Sequence, residues 1–193
     1  MTKTTNLVLH AHKLACGHDA GEAREYNVAF LDLGTRTGIV HARAAMSDAD
    51  GSWSLGIRYV MGLSFRDKTP GGVFDRCWSD LINHFCGVDV MVYEDVIRWS
   101  SSAAAKRYCG LLAMLLRYCH ITEATSVPVP IRSAKIALTG DGAASKDEVA
   151  RCLRADQRHL VWTGHDRGDI TEDETDALSL AYLYQKVINE GRR

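Results

Sequence analysis

Between Val28 and Gly38 the chain reads Val28-Ala29-Phe30-Leu31-Asp32-Leu33-Gly34-Thr35-Arg36-Thr37-Gly38. The run is short, apolar on both alternating faces, and interrupted once by a carboxylate before it breaks into glycine. A strand that is apolar on both faces needs a covering layer on each side, which makes it a central strand rather than an edge. A lone Asp in such a strand is costly unless something pairs with it. Gly34 and Gly38 bracket a tight turn, and Ile39-Val40-His41-Ala42 reads as the returning strand of a hairpin. Asp32 itself is open to three readings: a cap on its own turn, part of a phosphate-binding turn, or a metal ligand.

The elements around this strand predict an α/β chain with a mixed sheet. Tyr26–Leu33, Thr37–Met46 and Leu55–Phe65 read as successive strands, with Asp48-Ala49-Asp50-Gly51 as a turn. A helix starts at Thr69-Pro70-Gly71-Gly72 with an apolar stripe of Phe74, Cys77, Trp78, Leu81, Ile82 and Phe85, and Gly87 closes it. Val88–Tyr93 is a second buried-looking strand that ends at Glu94. Ser100–Ser102 offers caps for a long helix over Ala103–His120, whose Leu111, Leu112, Met114, Leu115 and Tyr118 exceed what one core face needs. That surplus fits a subunit contact or a helix held between sheet and loop. A short strand (Val127–Pro130), a short helix (Ile131–Leu138) and a polar loop (His159–Asp169) follow. Ser145…Glu148 and Thr171…Glu174 are capping boxes. The first opens a helix to about Leu153, the second a helix over Glu172–Ile188 with a stripe of Ala177, Leu180, Ala181, Tyr184 and Val187.

Before Tyr26 the chain is polar. Leu7–His12 reads as a short strand, and His10, His12, Cys16 and His18 crowd together like a metal knuckle, although their spacing matches no zinc pattern. The length of 193 residues fits one domain, with 46% hydrophobic residues to build its core. The apolar runs are too short to span a bilayer, and Met1–Asn6 lacks the order of a signal peptide, so the expected location is the cytoplasm. On that reading the six cysteines are small buried hydrophobes rather than disulfides. The net charge of −1 gives no global field, but Arg98–Arg158 holds ten Lys/Arg against five Asp/Glu, compatible with a basic face.

Four carboxylates fall at the ends of elements that can converge. Asp32 and Glu94 end two strands. If those strands are neighbours, their carboxylates meet at the sheet edge where open α/β folds place their sites. Asp173 and Asp176 share a face at the start of the last helix, with Asp169 and Glu172 as rivals for the place of Asp173. Acids also favour helix N-termini through the dipole alone. Four gathered carboxylates repel and resist ionisation, a cost that oxygen-preferring divalent cations remove.

Asp32-x-Gly34 at one strand end, Tyr93-Glu94 at another, and Asp173-x-x-Asp176-Ala177-Leu178 on the last helix together resemble the RuvC-type Holliday junction resolvases of the ribonuclease H-like superfamily. The similarity extends to Lys135, Gly140-x-Gly142 and Lys146, and covers about Tyr26–Ile188. It implies a ribonuclease H-like mixed sheet flanked by helices, with residues 1–25 as an N-terminal extension and 26–193 as the nuclease domain. It further implies a crossover junction endodeoxyribonuclease that makes paired incisions in branched DNA, with divergence pointing to a phage-type member in a host cytoplasm. Asp32, Glu94, Asp173 and Asp176 would be catalytic and hold two Mg²⁺ per site, with Mn²⁺ able to substitute. Lys135 and Lys146 would bind the DNA phosphate, and helix 103–120 would form a homodimer. The family carries an aromatic wedge three residues after the strand-end Glu. Here that position is Ile97, so Ile97, Arg98 and Trp99 are the candidate junction contacts. Two other readings stand beside this one. An actin-like kinase half-domain would need a second phosphate loop and a second such fold. A non-catalytic nucleic-acid-binding module would carry a broken acidic set.

Overall fold

The computed structural model describes residues 3–15, 25–34, 36–47, 50–65, 67, 69–96, 101–155, 160–162 and 171–190. Its elements in chain order are α1 (Lys3–Ala15), β1 (Glu25–Asp32), β2 (Arg36–Met46), β3 (Trp53–Ser64), α2 (Pro70–His84), β4 (Val90–Glu94), α3 (Ser102–Thr122), β5 (Thr125–Val129), α4 (Ile131–Thr139), α5 (Lys146–Ala155), β6 (Leu160–Trp162) and α6 (Glu172–Glu190). The strands form one six-stranded mixed sheet in the order β5-β4-β1-β2-β3-β6. β1, β2 and β3 run antiparallel in succession, while β4 lies parallel to β1, β5 parallel to β4, and β6 parallel to β3.

β1 is central, as its two apolar faces require. Val28 and Phe30 point into one core and Ala29 and Leu31 into the other. The first core lies between the sheet and α1, α4 and α6, the second between the sheet and α2 and α3. The hairpin into β2 turns at Gly34, where the Thr37 hydroxyl donates to the Gly34 carbonyl at 3.0 Å and accepts from the Gly34 N–H at 3.2 Å. A Cβ on Gly34 would stand 2.8 Å from the Arg36 carbonyl oxygen, so only glycine closes this turn without displacement.

Several expectations change. The stretch over Leu7–His12 is part of helix α1, not a strand. Thr4, Val8 and Ala11 are buried at helical spacing, and Val8 and Ala11 join the first core. Within the expected loop His159–Asp169, Leu160–Trp162 pairs with β3 as an edge strand too short to show periodicity. The apolar surplus on α3 is largely internal: Leu111 and Leu115 are fully buried, Tyr118 is buried, and Leu112 and Met114 pack partly against the same core. The outward apolar residues of that helix are instead Leu116, 40% exposed, and Ile121, 58% exposed. α6 buries far more than one stripe, with all of Thr175–Gln185 buried, because it lies on β1–β3 and is covered by α1, α4 and α5. Cys77 and Cys119 are core residues, whereas Cys86 and Cys109 are exposed. No described helix is long and apolar enough to cross a membrane.

Candidate active site

The pleat decides where the strand-end acids face. Val28 and Phe30 point toward α6, so two residues on Asp32 does too; Val90 and Val92 place Glu94 on the same side. The parallel pairing of β1 with β4, with Leu31 opposite Tyr93, sets Asp32 and Glu94 side by side at the C-terminal sheet edge. From above, α6 lowers Asp176 onto this edge. Its start is fixed by the expected capping box: the Thr171 N–H donates to Glu174 Oε2 at 2.8 Å, and the Glu174 N–H to Thr171 Oγ1 at 3.4 Å.

The three carboxylates act on one another. Asp32 is pushed up to about 9, first by burial, then by a hydrogen bond with the Glu94 side chain, then by the charges of Glu94 and Asp176, with Lys146 pulling the other way. Asp176 is buried, its side chain 10% exposed, and it receives the Lys146 ammonium at 2.9 Å. Lys146 owes its place to the Ser145–Glu148 capping box, in which the Ser145 N–H and hydroxyl donate to Glu148 Oε2 at 2.8 and 2.9 Å. Lys135, on α4, donates to the Ala144 carbonyl at 2.8 Å and so braces the chain entering that box. Tyr108, on α3, donates its hydroxyl to the Glu94 carbonyl, and the Val96 N–H donates to the Tyr108 hydroxyl at 3.4 Å. Sequence reasoning missed Tyr108, since a tyrosine on an apolar helix face carries no sign of a backbone partner.

Among the described residues no three acidic, histidine or cysteine side chains are already gathered into a chelating cage; Lys146 supplies the counter-charge instead. The donor chemistry nevertheless fits a hard divalent cation: Glu94 and Asp176 both act on Asp32, and no thiol or imidazole is among them. Asp173 belongs to the second residue of α6, but its side chain, like that of Glu172, lies outside the described residues, as do Asp169, Ile97, Arg98 and Trp99. In the supposed knuckle, His12 Nδ1 bonds the Tyr26 hydroxyl at 2.7 Å and His10 is exposed; Cys16 and His18 lie outside the described residues.

The central hairpin, parallel β4 and β5, and α6 crossing the sheet define a ribonuclease H-like fold. Solved structures with the same fold include Thermus thermophilus RuvC, 19% identical with a TM-score of 0.62 over 81% of this chain and 92% of that one. T. thermophilus RuvC in complex with a Holliday junction substrate gives 19% identity and a TM-score of 0.66 over 86% and 96%. The yeast mitochondrial Holliday junction resolvase Ydc2 gives 14% and 0.61 over 99% and 97%. No family model matches the chain, and no curated protein matches it either.

Proposed function

We propose that this protein is a metal-dependent, structure-selective endonuclease that cuts four-way DNA junctions by paired incisions. The observation that carries the reading is the convergence of Asp32, Glu94 and Asp176 at one sheet edge, where burial first, and then Glu94 and Asp176, push the Asp32 carboxyl up. Fold likeness to junction resolvases, one of them bound to a Holliday junction, supports the substrate class.

Asp32, Glu94 and Asp176, with Asp173 as the fourth acid, would hold two Mg²⁺ ions, and Mn²⁺ would serve in their place. Two such ions supply an activated water and charge stabilisation at the leaving oxygen of a phosphodiester. The chain's own residues do the rest. Burial of Asp32 and Asp176 keeps the acids close and poorly hydrated, a cost that bound cations would offset. Lys146, half exposed beside Asp176, is placed to meet an incoming phosphate. Lys135 steadies the segment that presents Lys146 and keeps further N–H donors for phosphate. Ile97, Arg98 and Trp99 begin three residues after Glu94 and would face the junction centre. Paired incision needs two sites facing one junction, which a homodimer through α3 supplies with Leu116 and Ile121 as its apolar contacts. Divergence from the bacterial enzyme favours a phage-type member.

The test is cleavage of a labelled synthetic four-way junction with and without Mg²⁺. Metal-dependent nicks at opposed strands are expected from the wild type and none from Asp32→Asn. Binding without cutting under every metal condition would favour a non-catalytic module.

A further inference from the structure

Outside the acidic edge, the described residues form a cleft of about 530 Å³ between the N-terminal ends of α2 and α3, a size within the range of about 300–1,000 Å³ usual for ligand sites. Its walls are Pro70, Val73 and Phe74 from α2 and Ala103 from α3. The Phe74 ring lies on the bare backbone of Gly110; a Cβ there would be 2.2 Å from its Cζ, so glycine is what admits the ring. Lys106 and Arg107 line the α3 side, both exposed, and among the described residues neither has an ion-pair partner. Asp67 lines the α2 side, where its Oδ1 accepts from the Thr69 N–H at 3.0 Å and the Thr69 hydroxyl at 3.2 Å.

We infer that this cleft takes an unpaired nucleotide of the DNA substrate, its base against Phe74 and Pro70 and its phosphates on Lys106 and Arg107. The charge distribution selects that occupant. An apolar slot with an aromatic wall suits the flat face of any base, which stacks without sequence preference. Two cations without an ion-pair partner among the described residues supply, on one lip, the backbone contacts that a neutral apolar ligand would not use. The carboxylate on the other lip confines phosphate to the α3 side. Position agrees as well: Lys106 and Arg107 precede Tyr108, whose hydroxyl reaches the Glu94 carbonyl, so the cationic lip is on the same turn of α3 that touches the acidic strand end. A base released at a junction would thus be held at the strand end that carries the acids, on the face of the sheet opposite to them. The inference rests on the nuclease reading for its substrate, yet the cleft shares no residue with the acidic set.

The test is fluorescence anisotropy, without divalent metal, of a labelled oligothymidylate single strand against a blunt duplex of equal length. Ala103→Phe fills the cleft from an exposed helix position, and Lys106→Gln/Arg107→Gln removes its cationic lip. The wild type should prefer the single strand, and each variant should weaken that binding about tenfold, the scale of losing one stacked base, with unchanged melting temperature. Equal affinity for single strand and duplex, or unchanged single-strand binding by Ala103→Phe, would overturn the inference. So would an Ala103→Phe variant that converts a dimer to a monomer, since a second copy would then be the occupant. If the wild type never cuts a junction but the cleft variants lose single-strand binding, the cleft stands and the nuclease reading falls.

Discussion

The Lys146 ammonium stands 2.9 Å from Asp176 Oδ2 and joins the first residue of α5 to the buried acidic end of α6. Asp176 is nearly enclosed while Lys146 is half exposed, so the pair is neither a surface bridge nor a fully desolvated one. Lys146→Met should therefore cost about 1 kcal/mol in the absence of metal, a fall of about 2–4 °C in melting temperature for a chain of this size. The double variant Lys146→Met/Asp176→Asn should recover most of that loss, because no charge is then left without a partner. Additive losses in calorimetry would show that the two side chains do not couple.

Asp32 sets an opposite trend. Its folded pKa of about 9 lies above the value of 3.8 for a free carboxyl, so the native state keeps a proton that the unfolded chain releases. Its contribution to stability is complete below the unfolded value and is lost as pH rises through the folded one. Asp32→Asn does not titrate, so without metal it should melt above the wild type by a margin that widens from pH 5 to pH 9. Mg²⁺ should close the gap by stabilising only the wild type. Cleavage should vanish in the variant while junction binding is kept or tightened. At limiting Mg²⁺, wild-type cleavage should rise with pH as metal displaces the proton. A melting difference independent of both pH and metal would contradict this picture.

His41 gives the acid limb. It is buried on β2, stacked on Tyr59 with centroids 5.0 Å apart, and its Nδ1 is buried with no hydrogen-bond partner. Burial first, and the Arg58 charge second, lower its pKa from 6.5 to about 4. Here the folded state disfavours the proton, so stability is present above the unfolded value and falls as pH drops from 6.5 toward 4. His41→Phe keeps a ring against Tyr59 and removes the titration. It should flatten the loss between pH 7 and 4.5, which in the wild type amounts to about 1–3 kcal/mol. Denaturant midpoints across that range, measured on both proteins, decide it.

How far the sequence reaches can be judged from particular residues. The central strand, the hairpin at Gly34 and both capping boxes were legible, because each is a local pattern of period, glycine or Ser/Thr spacing. The parity of Val28, Phe30 and Asp32 was also in the sequence, and the same two-residue step from Val90 to Glu94 put both acids on one face. What it could not supply was contact at a distance. The Lys146–Asp176 pair and the Tyr108–Glu94 link join residues far apart in the chain, and no local rule relates them. Leu7–His12 suits either period when taken alone; only Thr4 and the packing of Val8 and Ala11 favour the helix. The burial of Leu115 was equally hidden, since an apolar helix does not say which of its faces meets its own sheet.

The burial of Leu115 decides which positions test a homodimer through α3. Leu115 is fully buried within the subunit, so Leu115→Asp would place a charge in the second core and unfold the protein whatever its oligomeric state. Leu116 and Ile121 are the discriminating positions, because they face out from the same helix. Leu116→Asp and Ile121→Asp should each change stability of the isolated subunit by no more than about 0.5 kcal/mol, as surface substitutions do. If α3 carries the homodimer, each should shift the wild-type dimer toward monomer in light scattering at micromolar concentration. Junction cleavage should then change in kind as well as in rate. Single nicks should accumulate in place of paired ones, since one acidic edge can reach only one strand at a time. A wild type that scatters as a monomer, or an Ile121→Asp dimer that still cuts both strands together, would remove α3 from the interface.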